Sequence, residues 1–318
     1  MKRQLLIKIF SIIIIISSSS LGLINIAQAN PNYSFSLEYG SRISEVEYYN
    51  PSLWSETISN SSDPLDWFPG TSNQTGTLSK NLILDTGYND LDTYGIFYQF
   101  FYDWLDIDRT GLIQNGYGSS YVRGNYTTYY IVWEYVYQAW YFSDQSLDLG
   151  WDFEDNFFVF IQPSDLANIF SDYNNFSATV NSDPTMQSMN ISLPTANGDE
   201  YLWHYALNGL IIANPIKSYL NALIDALECQ NATVQGNMLI FNRKGIHDYI
   251  VDLTFNDHGL MDTFSVKTLG GVLIYKITSW YPKNVALITF SLIGVGLAGL
   301  LSWPIYQKRK KMRFFKEN

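Results

Sequence analysis

The 318-residue chain carries 19 Lys and Arg against 30 Asp and Glu, a formal net charge of −11, with one Cys and 16% aromatic residues. Acidic surface of this kind repels nucleic acid and anionic lipid, and a lone Cys229 excludes an intramolecular disulfide. The sequence also holds no P-loop, no G-x-S-x-G elbow, no S-x-x-K pair and no H-E-x-x-H zinc helix.

At the N-terminus, Lys2, Arg3 and Lys8 precede an apolar stretch around Ile12–Ile16, and Ala27-Gln28-Ala29 is a small-x-small cleavage pattern. Residues 1–29 are therefore expected to be a signal peptide, with Asn30 the first mature residue. The polar stretch from Ser52 to Ser79, with Asp63-Pro64 and Pro69-Gly70, reads as long loops. Next come two aromatic runs. "GIFYQFFYDWL" alternates Ile96, Tyr98, Phe100, Tyr102 and Trp104, and "YYIVWEYVYQAW" alternates Tyr129, Ile131, Trp133, Tyr135 and Tyr137. Period-2 aromatic patterning predicts strands. "NFFVFIQP" predicts another strand over Asn156–Pro163, after which Ser164 caps a short helix through Tyr173.

The polar segment 181–199 reads as a connecting loop. Beyond it "EYLWHYALNGLIIA" is expected to be a hairpin turning at Asn208-Gly209, and Asn214-Pro215 opens a helix. Its apolar stripe is Ile216, Tyr219, Leu220, Leu223, Ile224 and Leu227. Four short strands are then predicted over Asn237–Asn242, His247–Asn256, Gly259–Leu269 and Gly271–Ser279. The chain from Val285 to Leu301 carries no charge. It contains a literal G-x-G-x-x-G at Gly294, Gly296 and Gly299, but the few residues that follow, rich in Lys and Arg, leave no room for a dinucleotide-binding unit. The length suits a transmembrane helix over 284–306. Trp280 and Tyr281 flank one end and Trp303 and Tyr306 the other, as interfacial aromatics do. The basic tail 307–318 places the C-terminus in the cytoplasm, and Gly294, Ala298 and Ser302 have the small-xxx-small spacing of a homodimer contact.

The expected fold is thus α+β and β-rich. Residues 30–180 form an aromatic region of antiparallel strands. A connecting loop at 181–199 leads to a membrane-proximal hairpin, helix and antiparallel meander over 200–283, and one transmembrane helix follows. The region 30–283 holds ten Lys and Arg against 29 Asp and Glu, so its acidity exceeds that of the whole chain.

Candidate chemistry is sparse. "DIDRTG" places Asp106, Asp108 and Thr110 before Gly111, matching the first half of a calcium loop, but Tyr117 stands where the bidentate Glu belongs. The alternatives are a structural calcium site, with Asn89, Asp90 and Asp92 lending oxygens, or an ordinary acidic turn. "WDFEDNF" would put Asp152 and Glu154 on one strand face beside aromatic rings, the minimum for a glycosidase pair; the alternative is a solvated face. His204, His247 and His258 lack metal-ligand spacing. Cys229 beside the Leu227 stripe reads as a small buried hydrophobe. Seven N-x-S/T sequons occur, at Asn32, Asn60, Asn73, Asn125, Asn175, Asn190 and Asn231, as glycosylation candidates. The aromatic excess fits either a sheet core or a ligand and glycan face.

As an arrangement, the chain resembles archaeal single-pass membrane-anchored surface proteins that have no assigned activity. The resemblance implies a cleaved signal, a sequon-bearing ectodomain, one span and a short basic tail, and it brings no functional residues with it. The expected function is that of a non-enzymatic type I surface protein whose extracellular region binds a ligand, an envelope partner or a glycan. An envelope-anchored polysaccharide hydrolase and a structural envelope component are the alternatives.

Overall fold

The computed structural model describes residues 32–35, 40–67, 71–92, 97, 101–102, 105, 107, 109–126, 128–143, 146–148 and 154–281. The expected signal peptide at 1–29, span at 284–306 and tail at 307–318 lie outside the described residues, and with them Gly294, Ala298, Ser302, Trp303 and Tyr306. No helix among the described residues is long and apolar enough to cross a membrane.

In chain order the elements are β1 (Gly40–Tyr49), α1 (Pro51–Thr57), β2 (Leu78–Asp92), α2 (Arg109–Gln114), α3 (Ser119–Asn125), β3 (Thr128–Ser143), β4 (Ser146–Asp148), β5 (Glu154–Phe160), α4 (Pro163–Ser182), α5 (Pro184–Ser188), α6 (Gly198–Leu207), β6 (Leu210–Ile211) and α7 (Ile216–Ala226), then β7 (Ala232–Gln235), β8 (Met238–Lys244), β9 (Asp248–Phe255), β10 (Met261–Thr268) and β11 (Leu273–Trp280). The strands make one α+β sheet, eleven-stranded among the described residues, in the order β6-β5-β3-β2-β1-β11-β10-β9-β8-β7, with β4 beside β3. All pairs are antiparallel except β5 with β6. Strand β1 links the two halves of the sequence. Ile43 pairs with Lys80 of β2 on one side and with Trp280 of β11 on the other. The strands of 30–180 and those of 200–283 therefore share one sheet.

The C-terminal meander follows from alternation. In β9, Val251, Leu253 and Phe255 are buried on one face and β10 adds Phe264 and Val266, while α7 lays Ile216, Tyr219, Leu220 and Leu223 against the same core. Each such side chain stabilises the fold by about 1.5–3 kcal/mol on leaving water. The helix begins one residue later than expected: Pro215 is its N-cap and Asn214 lies outside, where its side-chain amide donates to the Asp257 carbonyl at 2.7 Å. Helix α4 starts at Pro163 with Gln162, not Ser164, as its N-cap, and it is longer than expected. Leu166, Ile169, Tyr173, Phe176 and Val180 continue one buried stripe past Tyr173 to the end of α4, as a 3.6-residue period requires.

Four local expectations are corrected. "EYLWHYAL" is helix α6, not the first arm of a hairpin. Asn197 caps it by accepting from Glu200 N–H at 2.8 Å, and Asn208-Gly209 ends it with Gly209 at φ 92°. Within "GIFYQFFYDWL" the described residues Phe97, Phe101 and Tyr102 have helical backbone, and Leu105 N–H donates to the Phe101 carbonyl at 2.9 Å. The stretch 52–79 holds helix α1, capped by the Asn50 side chain and started by Pro51. The polar 181–199 segment holds the end of α4 and all of α5, because Asp183 caps the latter and Pro184 opens it.

Candidate functional site

Asp106, Asp108 and Asp152 lie outside the described residues; Glu154 is the first residue of β5; Thr110 is exposed in the first turn of α2, with Gly111 helical beside it. No group of three or more His, Cys, Asp or Glu side chains is placed to hold a metal among the described residues. Trp280 is 39% exposed at the end of β11, whereas the neighbouring Tyr281 ring meets His258 at 6.4 Å. Cys229 is half-buried after α7, and burial, reinforced by Asp199, pushes its thiol up to about 12. It stays a protonated thiol at neutral pH. All seven sequon asparagines are exposed.

Many of the described aromatics are core. Phe101 stacks on Tyr173 at 4.1 Å and on Tyr201 at 5.3 Å, nearly parallel to both. A second cluster forms where α1, α6 and the meander meet. Trp54, Tyr49 and Tyr275 meet one another edge to face at 5.8–6.0 Å, and Trp203 of α6 meets Phe241 of β8 at 5.3 Å. Trp54, Trp203, Tyr249 and Tyr275 are buried, which removes them as open platforms.

Trp67 is different. It follows a short turn of helix at Pro64–Asp66 and is only half-buried, yet its ring contacts Trp54 at 4.8 Å, Trp203 at 5.6 Å, Phe264 at 5.9 Å and Tyr249 at 6.2 Å. It packs against the core while staying partly exposed. Trp203, one of the rings it touches, carries a charged pair. Arg243 of β8 lies over the Trp203 ring at 4.5 Å and grips Glu200 of α6 through both terminal nitrogens, at 2.5 and 3.2 Å. A guanidinium held this way is fixed by stacking and by a forked ion pair together. Its Nε is buried and has no hydrogen-bond partner among the described residues. Tyr249 also interacts with Arg243, which opposes the upward push of burial on its phenol.

His204 completes this group, one residue along α6 from Trp203. Burial lowers its pKa to about 4, with Glu200 opposing the shift and Arg243 adding to it. The folded protein thus holds it neutral where the unfolded chain, at about 6.5, binds a proton. The unfolded state then carries more protons between pH 6.5 and 4, so stability is full above pH 6.5 and falls as pH drops through that window. A His204→Gln variant is expected to lose less melting temperature than the wild type between pH 7 and pH 4. Equal losses in thermal melts would show that His204 does not contribute.

The sequence pointed to none of these residues as a group. Glu200, Trp203 and His204 read as parts of a strand, so their alignment on one helix face was hidden, and Trp67 lay in an expected loop. The Asn197 cap three residues before Glu200 was the available signal. No family model, curated protein or solved structure matches the chain.

Proposed function

We propose that the chain is a non-enzymatic, membrane-anchored surface protein whose extracellular region binds a polar, hydroxyl-rich ligand such as an envelope glycan at the Trp67 edge. The observation that supports this is the half-buried Trp67 ring in contact with Trp203, over which Arg243 of the Arg243–Glu200 pair lies; that pair is itself partly open, its two side chains 20% and 39% exposed. Carbohydrate presents apolar C–H faces and hydroxyls together, and an aromatic edge beside a carboxylate and a guanidinium offers complements to both. The anchoring part rests on the apolar run 284–306 and the basic tail of the sequence, and on the resemblance to archaeal surface proteins.

The test is tryptophan emission of the full-length protein in lipid nanodiscs, titrated with a panel of envelope polysaccharides and oligosaccharides. A saturable change is expected with at least one of them. Trp67→Phe, which keeps a ring in the core, is expected to weaken binding about tenfold by calorimetry, or about 1.4 kcal/mol. A flat response across the panel would contradict the glycan proposal and leave a protein partner or a scaffold role. Cleavage of the bound polymer would instead favour the hydrolase.

A further inference from the structure

Seven sequons that are equivalent in sequence become unequal in the fold. Modification joins the Asn side-chain nitrogen to the anomeric carbon of an activated donor, a lipid-linked glycosyl phosphate or diphosphate. The anomeric C–O bond breaks with its electron pair, the phosphate leaves as the anion, and a base takes one amide proton, so nothing is oxidised or reduced. The Asn amide and the hydroxyl two residues on are both part of the recognised unit, which calls for an accessible surface segment.

Asn175 and Ser177 fail that condition. They lie inside α4, where residues two apart are separated by roughly 200° around the helix axis. Ser177 is 1% exposed and its hydroxyl donates to the Leu193 carbonyl at 3.0 Å, so it faces the core while Asn175 faces water. Asn73 and Thr75 are by contrast both exposed, in the turn before β2, and the Asn73 amide makes an exposed bond to Asp63 at 2.9 Å. Asn190 and Ser192 are also both exposed, in the segment after α5, where Asn190 has φ 57°. Asn60 is exposed in the loop after α1, with Ser62 half-buried beside it.

We propose that Asn60, Asn73 and Asn190 carry N-linked glycans and that Asn175 stays unmodified; this rests on the surface location proposed above. The test is site-resolved glycopeptide mass spectrometry of the full chain from its native membranes. In parallel, intact cells are treated with a membrane-impermeant amine reagent that reads the exposed Lys217 and Lys244. Glycan at the three sites and none at Asn175 is expected, with both lysines labelled. Asn60→Gln and Ser192→Ala are each expected to remove one glycan and leave the others. Occupancy at Asn175 equal to that at the three sites, or bare sites on a chain whose lysines label, would overturn the site assignment alone. Lysines that stay unlabelled would overturn the surface location, and the assignment with it.

Discussion

Trp54→Ala is expected to lower stability by about 3–5 kcal/mol, the usual range for deleting a large buried aromatic. Trp54 is 1% exposed, and its ring contacts Tyr49, Trp67 and Tyr275 at 4.8–6.0 Å. Its indole N–H donates to the Ser62 carbonyl at 2.9 Å, which ties the loop after α1 back onto the helix. Alanine would leave a cavity in the middle of the cluster and an unpaired carbonyl beside it. Since domains are stable by about 5–15 kcal/mol, such a loss is a large share of the whole. Trp54→Phe is expected to cost less, because it keeps most of the volume and gives up the hydrogen bond. Urea unfolding midpoints read both variants, and a wild-type midpoint for Trp54→Ala would contradict the packing described.

Gly259→Ala is the second. Gly259 turns the chain from β9 into β10 at φ 77°, and a Cβ there would stand 1.9 Å from the Ile212 carbonyl oxygen. The Ile212 N–H meanwhile donates to the Gly259 carbonyl at 3.0 Å. The two backbones are therefore in contact, and a methyl group must push them apart. Gly236 supplies the comparison: it has φ 65° and open space where its Cβ would go. Gly236→Ala then bears only the left-handed strain of about 1–2 kcal/mol, and Gly259→Ala is expected to exceed it by at least about 2 kcal/mol, the scale of overpacking. Equal melting temperatures for the two variants would mean that the turn does not touch Ile212 in solution.

Elements whose pattern has a single cause were legible. The α7 stripe and the four strands of the meander keep apolar residues on the core face at periods of 3.6 and 2, although Asp252 of β9 and Ser265 of β10 are buried on the other face as well. Helix α6 hid itself. Tyr201, Leu202, Trp203, Tyr205, Ala206 and Leu207 are all buried, so only the narrow polar face of Glu200 and His204 marks the helical period, and Asn208-Gly209 imitates a hairpin turn. The Phe97–Phe101 stretch misled for a related reason. A dense aromatic run contains every period at once, and tertiary stacking on Tyr173 and Tyr201 decides among them. Helix α1 was recoverable from the Asn50-Pro51 start, but its length of seven residues left little period to read. The Trp67 group depends on α6, β8 and the loop after α1 meeting in space, which no spacing in the sequence encodes.

The most direct measurement of binding at the Trp67 edge is hydrogen exchange of the full-length protein with and without the glycan that titrates its tryptophan emission. Slowed exchange in the segments around Pro64–Trp67, Glu200–His204 and Arg243–Tyr249 is the expected result. Protection confined to other segments, with these three unchanged, would contradict the assignment of the ligand to this edge.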